Sequence, residues 1–120
     1  MAKLLGKFVI KVDGAQLQSL PGASLDIGGS ERTTVVGANK VEGNYETPKQ
    51  SRAECEIPVG KETSLAEMRD WDDVTLSFEC DTGQQYVVQG AWLTNTPKMT
   101  ASEGGRIPLE FEGPPAEEML

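Results

Sequence analysis

Residues 28–51 read GGSERTTVVGANKVEGNYETPKQS, a long polar stretch punctuated by glycine. The β-branched residues in RTTVV and NKVEGNY favour strands, but too few apolar side chains recur at any one period to bury a face. As an unstructured loop, the stretch would exceed the roughly 12 to 15 residues that are usual in a compact domain. It therefore predicts a long protruding hairpin, with arms at residues 23–36 and 41–59 and a tip at residues 37–40, that something outside the domain must cover.

The segments around this stretch alternate apolar and polar side chains with the period of two that is typical of half-buried strands. In RAECEIPV, residues 52–59, the inward set is Ala53, Cys55 and Ile57. The same alternation occurs in KFVIKVDG, DVTLSFECD and GRIPLEFEG, whereas QQYVVQGAWLTN is apolar on both faces, as in a strand covered on two sides. Pro108 lacks an N–H, which favours an edge position or a bulge.

One short helix is predicted between these strands, in KETSLAEMRDW. Ser64 stands three residues before Glu67, the spacing of a capping box. Leu65, Met68 and Trp71 follow at helical intervals and predict about two turns that cover the sheet like a lid. The fold class is therefore mainly β: a small β-sandwich or open β-barrel with one short flanking helix, in a single domain of residues 1–113. Pro114 and Pro115 stop the last strand, so residues 114–120 are predicted to form a flexible tail.

Composition excludes several classes of function. The chain has 120 residues and a net charge of −8, which argues against a surface that grips nucleic acid. It contains no histidine, so a Ser-His or Cys-His pair and an imidazole metal ligand are excluded. Cys55 and Cys80 are expected to be small buried thiols in a reducing cytosol. No membrane anchor, cofactor or enzymatic activity is predicted.

Acidic side chains recur in pairs on three predicted strands. Glu54 and Glu56 are two residues apart and point to the same side, as do the pairs Glu79–Asp81 and Glu110–Glu112. An acid/base or calcium site can be built from such pairs. Three outward faces that all carry paired acids favour a single continuous negative surface instead.

Several segments occur in one recognisable order along the chain: GKFVIKVDG, LPGASLDIGGSERTTVVG, VEGNYETPKQSRAECEIP, a short helix, two strands and a closing IPLEFEG. In this order they resemble the major tail tube proteins of Mu-like contractile-tailed bacteriophages. The most telling parts are G…VEG.YETP and the terminal LEFEG, and the resemblance covers nearly the whole chain. It implies the same small β-sandwich or open barrel.

The resemblance also implies a function. Such proteins would assemble as stacked hexameric rings into the inner tube of a contractile tail, within a sheath and joined to baseplate or terminator proteins. The chain would be made in the bacterial cytoplasm and end in the virion tail, with DNA passing through a negative bore that does not hold it. The implied inter-subunit contacts are Thr33, Thr34, Val35, Val36, Lys40, Val41 and Tyr45. The candidates for lining the bore are Glu54, Glu56, Glu79 and Glu110.

Two alternatives remain open from the sequence. The same tube could belong to a phage-derived bacteriocin or a type VI secretion-like injection machine, which passes no genome. A β-sandwich binding module would need an exposed aromatic groove, but Trp71, Tyr86 and Trp92 are better explained as core or lid residues.

Overall fold

The computed structural model describes residues 2–119, which form ten strands and one short helix. The elements are, in chain order, β1 (Phe8–Val12), β2 (Ala15–Leu17), β3 (Ser24–Asp26), β4 (Gly29–Val36), β5 (Val41–Lys49), β6 (Ser51–Ile57), α1 (Leu65–Arg69), β7 (Val74–Cys80), β8 (Gln85–Leu93), β9 (Ile107–Gly113) and β10 (Glu117–Met119). The predicted domain begins at residue 1 and the predicted tail ends at residue 120. Both of these residues lie outside the described residues.

The main sheet is antiparallel and open. Its strand order is β2-β1-β7-β8-β9-β6-β3, with β10 paired to β8, and it is not closed into a barrel because β2 and β3 stand at opposite ends. Strands β4 and β5 form a separate two-stranded sheet. The prediction of a mainly β, open fold with one short flanking helix and a protruding hairpin is confirmed.

The core lies on the inward face of the main sheet. Alternate residues of β6 and β9 are buried, as the period of two predicts. The buried apolar side chains of these two strands are Ala53, Cys55, Ile57, Ile107, Leu109 and Phe111. Strands β1 and β7 add a second buried set, Ile10, Val12, Val74, Leu76 and Phe78.

Strand β8 contains an irregularity that the alternation did not predict. Val74 pairs with Ala91 but Leu76 pairs with Val88, so the register shifts between these pairs. Gly90 sits in the bulged part with φ +73°, a conformation that glycine adopts without strain. The shift buries both Val88 and Ala91 and turns Trp92 outward, where it is 41% exposed. The apolar content of this strand thus reflects a bulge, and Trp92 is neither core nor lid.

Helix α1 begins as predicted but ends early. The Glu67 N–H donates to Ser64 Oγ at 3.3 Å, which caps the first turn. The helix spans only Leu65–Arg69, because Asp70 already has φ −90° and ψ 7°. Trp71 follows the helix, and its ring stacks on Phe111 with centroids 5.8 Å apart. The segment still covers the core as a lid.

Pro108 is accommodated on the side of β9 that faces away from β6. Strand β8 pairs with β9 only at Trp92↔Glu112 and Leu93↔Phe111. Beyond that point the Asn95 side chain supplies hydrogen bonds that a neighbouring strand would otherwise make. Its Nδ2 donates to Pro108 O at 2.9 Å, and its Oδ1 accepts the Glu110 N–H at 2.9 Å. The predicted edge position is therefore correct only locally, since β9 is an interior strand.

The chain after β9 returns to the sheet. Strand β10 pairs with residues 85–87 of β8, and the Tyr86 hydroxyl lies 3.4 Å from Glu118 Oε1. Strand β10 forms because this part of β8 has free backbone groups to pair with. Flexibility of the segment stays a prediction.

Candidate assembly hairpin and acidic face

Strands β4 and β5 form an antiparallel hairpin over the stretch that the sequence singles out, with one shift of register between Val35 and Val36. The pairs run from Gly29↔Lys49 at the base, through Thr33↔Tyr45, to Val36↔Val41 near the tip. The Gly37 N–H donates to Lys40 O at 2.8 Å and closes the tip. Cross-strand pairs and the exposed Arg32–Glu46 ion pair, 3.0 Å long, support this register.

The hairpin projects from the body of the subunit. The radius of gyration is 17.4 Å, whereas a compact domain of this length has about 13 to 14 Å. The molecule measures 62 × 40 × 27 Å along its principal axes. Such an elongated shape leaves the hairpin without a covering layer from the described residues.

Both faces of the hairpin are exposed and carry apolar side chains. Val36, Val41 and Tyr45 are 68%, 64% and 54% exposed. Alternation places Thr33, Val35 and Tyr45 on one face. The other face carries Thr34, Val36 and Val41, while Lys40 lies at the tip.

The hairpin also has two unpaired backbone edges. Within residues 2–119, β4 pairs only with β5 and β5 only with β4. Exposed edges of this length invite pairing with another chain. The geometry therefore suits contact through side chains on two faces and through backbone groups on two edges.

Three of the four glutamates predicted to share a surface do lie together. Glu54 on β6 is directly opposite Glu110 on β9, and Glu56 is two residues along the same face. Each side chain is about half exposed, between 40% and 49%. Glu112 joins them at the base of the hairpin. We call these four residues the acidic face.

Two arginines partly neutralise the acidic face. Arg52 Nε lies 2.8 Å from Glu54 Oε1, and its other nitrogens lie 3.3 Å from Glu110 and Glu112. The hydrogen bond to Glu54 raises the pKa of Arg52 above its ordinary value. Arg52 offsets the repulsion expected between the directly opposed Glu54 and Glu110. Because it serves three carboxylates, the face stays negative.

Arg106 Nη1 lies 3.1 Å from Glu56 Oε2 and partly neutralises that carboxylate. The two arginines were not among the predicted site residues, although the alternation itself shows them: both occupy outward positions beside the glutamates.

Glu79 is not part of the acidic face. It lies on β7, which β8 separates from β9 in the strand order, and forms an ion pair with Lys11 at 3.3 Å. The predicted single negative surface is thus divided, because strands that look alike in sequence are not neighbours in the sheet.

The cysteines occupy different environments. Burial raises the pKa of Cys55 to about 11, but Cys80 is only partly buried, so the expectation of two buried thiols holds for Cys55 alone. In the described residues, no three His, Cys, Asp or Glu side chains are placed to hold a metal ion. That part of the chain likewise includes no helix long and apolar enough to cross a membrane.

Comparison with known sequences gives a consistent result. The family model described as "Phage tail tube protein" matches residues 1–118. The "Tail tube protein" of Escherichia phage Mu is 36% identical over 104 residues, covering 87% of this chain and 85% of the relative. The "Mu-like prophage FluMu tail tube protein" of Haemophilus influenzae is 34% identical over 106 residues, covering 88% and 87%.

Solved structures with the same fold come from contractile machines. The sheath/tube terminator of an extracellular contractile injection system superposes with a TM-score of 0.63 at 12% identity, covering 95% of this chain and 94% of the other. The sheath-tube complex of such a system gives 0.60 at 11% identity, covering 94% and 88%. At this identity the likeness concerns the fold alone. From the family model and the two sequence relatives, the chain belongs to the phage tail tube protein family.

Proposed function

We propose that this chain is the repeating subunit of the inner tube of a contractile phage tail, built from stacked hexameric rings. The proposal rests on membership of the tail tube family and on relatives in phage Mu and a Mu-like prophage. Tail tube proteins are structural proteins, so we assign the chain no catalytic role. The subunit would be made in the host cytoplasm and enter the virion tail, where a sheath surrounds the tube and baseplate or terminator proteins end it.

The projecting hairpin is the single observation that supports self-assembly most strongly. Strands β4 and β5 are exposed along nearly their whole length, yet they carry valines and a tyrosine. An isolated two-stranded hairpin is marginally stable in water. Contact with other copies would bury these side chains and cover the two free edges.

The division of the hairpin into two faces suits contact with two neighbours. One face would lie against the adjacent subunit of the same ring, and the other against the next ring. Thr33, Val35 and Tyr45 would contact one neighbour. Thr34, Val36 and Val41 would contact the other, with Lys40 reaching beyond the tip.

The acidic face is our candidate for the wall of the bore. Glu54 and Glu56 lie on β6, which follows the hairpin in the chain, and Glu110 lies on the neighbouring strand β9. A net negative wall would repel DNA phosphates and let the genome slide without sticking. Glu79 is the weaker candidate because it lies apart, next to Lys11.

A tube of an injection machine or bacteriocin is the second candidate. The superpositions on tube and terminator proteins of extracellular contractile injection systems favour it at the level of fold. Nucleic acid inside purified tailed particles would support the phage tail, and particles that inject protein and contain no genome would support the alternative.

Electron microscopy of the purified chain tests the assembly itself. We expect rings or tubes from the natural sequence at high concentration. Replacing residues 37–40 by a two-residue Asn-Gly turn shortens the hairpin without breaking its pairing, and we expect this variant to fold but to assemble poorly. Ala38→Ser at the same tip is the matched control and should assemble normally. Dispersed monomers of the natural sequence, or normal tubes from the shortened variant, would contradict the proposal.

A further inference from the structure

The hairpin meets the body at a narrow junction. Only residues 27–28 join β3 to β4, and only Gln50 joins β5 to β6. Gly28 has φ +70°, and a Cβ there would lie 2.6 Å from the backbone of Gln50 and Ser51. The backbone of the first connection therefore lies directly against that of the second. We call residues 27–28 and Gln50 together the pivot.

One side chain braces the pivot on the exposed side. Asp26 Oδ1 accepts the Gly28 N–H at 3.0 Å, and its other oxygen lies 3.0 Å from Lys49 Nζ. These contacts join the base of one arm to the base of the other. Both groups are largely exposed, so they restrict the direction of the hairpin only weakly.

The chain after β9 contacts residues on both sides of the hairpin base. Ser51, which is 2% exposed, points its hydroxyl at Pro114 O, 2.7 Å away, and at Gly113 O, 3.2 Å away. The Ala116 N–H donates to Ile27 O at 2.8 Å. Residues 113–119 thus contact Ile27, one of the two residues that join β3 to β4, and Ser51, the first residue of β6. We call this segment the strap.

The strap is anchored to the body at both of its ends. At Gly113 a Cβ would lie 3.0 Å from Ala91 Cα and 3.0 Å from Val88 Cγ1, so the chain crosses β8 in tight contact. Ala116 packs against the core cluster. Strand β10 then pairs with residues 85–87 of β8. A segment fixed to β8 on both sides of these contacts can hold Ile27 in place and so restrict the connection from β3 to β4.

We propose that the strap is a positioning element: by tying Ile27 and Ser51 to β8, residues 113–119 set the angle at which the hairpin leaves the body. Without the contact at Ile27, residues 27–28 and Gln50 would let the hairpin swing as a rigid unit. Three exposed residues in β10 make a weak strand, so the strap holds the angle but can be released. The inference concerns the isolated subunit and does not depend on what the hairpin contacts, so it can fail while the tube assignment stands, and the reverse.

Distance measurements between spin labels test this in the folded subunit. Labels at Ala38→Cys on the tip and Lys61→Cys beyond the far end of β6 report the hairpin angle, in a Cys80→Ser background that leaves the buried Cys55 in place. Two variants weaken the strap. One ends the chain at Pro115, and the other, Ala116→Pro, removes the N–H that Ile27 O accepts and keeps the residues that follow. Arg32→Ala, which breaks the ion pair of the hairpin itself, is the matched control.

The intact chain and the Arg32→Ala control should give the same distance distribution. The shortened chain should give a clearly broader distribution, and Ala116→Pro should broaden it less. A shortened chain with native circular dichroism and the same distribution as the intact chain would overturn the proposal. If the shortened chain does not fold, Ala116→Pro decides: an unchanged distribution overturns the proposal and a broadened one supports it.

Discussion

Strands β5 and β6 follow one another with only Gln50 between them, yet they are built on different principles. Strand β6 buries every second side chain in the core of its own subunit, whereas β5 is exposed from Val41 to Pro48. The alternation in β6 is strict, and in β5 it is absent. The comparison shows which part of the chain is stabilised within one subunit and which part requires a partner.

Magnitudes support this division. Burying a side chain such as Ile57 contributes about 1.5–3 kcal/mol. Strand β5 gains mainly hydrogen bonds, at about 0.5–1.5 kcal/mol each, while fixing its backbone costs about 1–2 kcal/mol per residue. The hairpin is therefore near the margin of stability in an isolated subunit, and the body is not.

The largest effect is expected in the body. Phe111 is 1% exposed and stacks on Trp71. Replacing it with alanine should lower the free energy of unfolding by about 3–5 kcal/mol, through lost transfer energy and a cavity. Denaturant unfolding measures the change, and a loss below about 1 kcal/mol would mean that this side chain is not central to the core.

In the hairpin, substitutions are expected to impair assembly and to leave the stability of the subunit nearly unchanged. The double variant Val36→Ser/Val41→Ser should change the free energy of unfolding by no more than about 0.5 kcal/mol per site, because both side chains are exposed. Tube formation should be lost, since these residues would be buried between subunits. Light scattering and electron microscopy follow assembly.

Met99→Ser is the control for that variant, since Met99 is 45% exposed and lies outside the hairpin. It should leave both stability and assembly unchanged. Normal tubes from the double valine variant would remove the distinction between a self-sufficient body and a partner-dependent hairpin.

A smaller effect is expected from substitutions on the acidic face. It concerns the rate at which DNA passes through the tube. Glu54→Lys places a cation in a wall that repels phosphates and should slow genome ejection, with partial recovery as salt screens the charge. Glu62→Lys is the control, because it makes the same change of charge at an exposed residue that is not a candidate for the bore wall. Ejection rate against ionic strength is the measurement. Normal, salt-independent ejection from Glu54→Lys particles whose lysine lines the bore would show that the charge serves solubility alone.

The smallest effect is expected at the pivot. The Gly28 N–H, and then Lys49, lower the pKa of Asp26 below its ordinary value of 3.8. The charged form is favoured in the folded state, so its contribution to stability is present above pH 3.8 and is lost as pH falls through the lower folded pKa. The difference in unfolding free energy between the natural chain and Asp26→Asn should shrink over that range. A difference independent of pH would show that the charge does not brace the pivot.

Much of the body could be predicted from the sequence because burial follows a period of two. The inward residues of β6 and β9, the Ser64 cap and the hairpin with its tip all follow from local patterns. Features that depend on distant contacts could not be predicted. The bulge at Gly90 reverses the alternation in β8, and β10 forms only because β8 has a free edge in three dimensions.

The candidate site was predicted only in part for the same reason. Local patterns identify Glu54, Glu56, Glu79 and Glu110 as outward, but the strand order decides which of them are neighbours. The order joins β6 to β9 and leaves β7 apart. Arg52 is visible in the same alternation, but its contact with three carboxylates depends on the register between β6 and β9.

Amide hydrogen exchange tests most directly whether the hairpin is the part of the subunit that depends on other copies. The account predicts fast exchange in residues 30–50 of the isolated subunit, slow exchange in β6, and strong protection of both in assembled tubes. Protection of residues 30–50 that is the same in the isolated subunit and in the tube would contradict it.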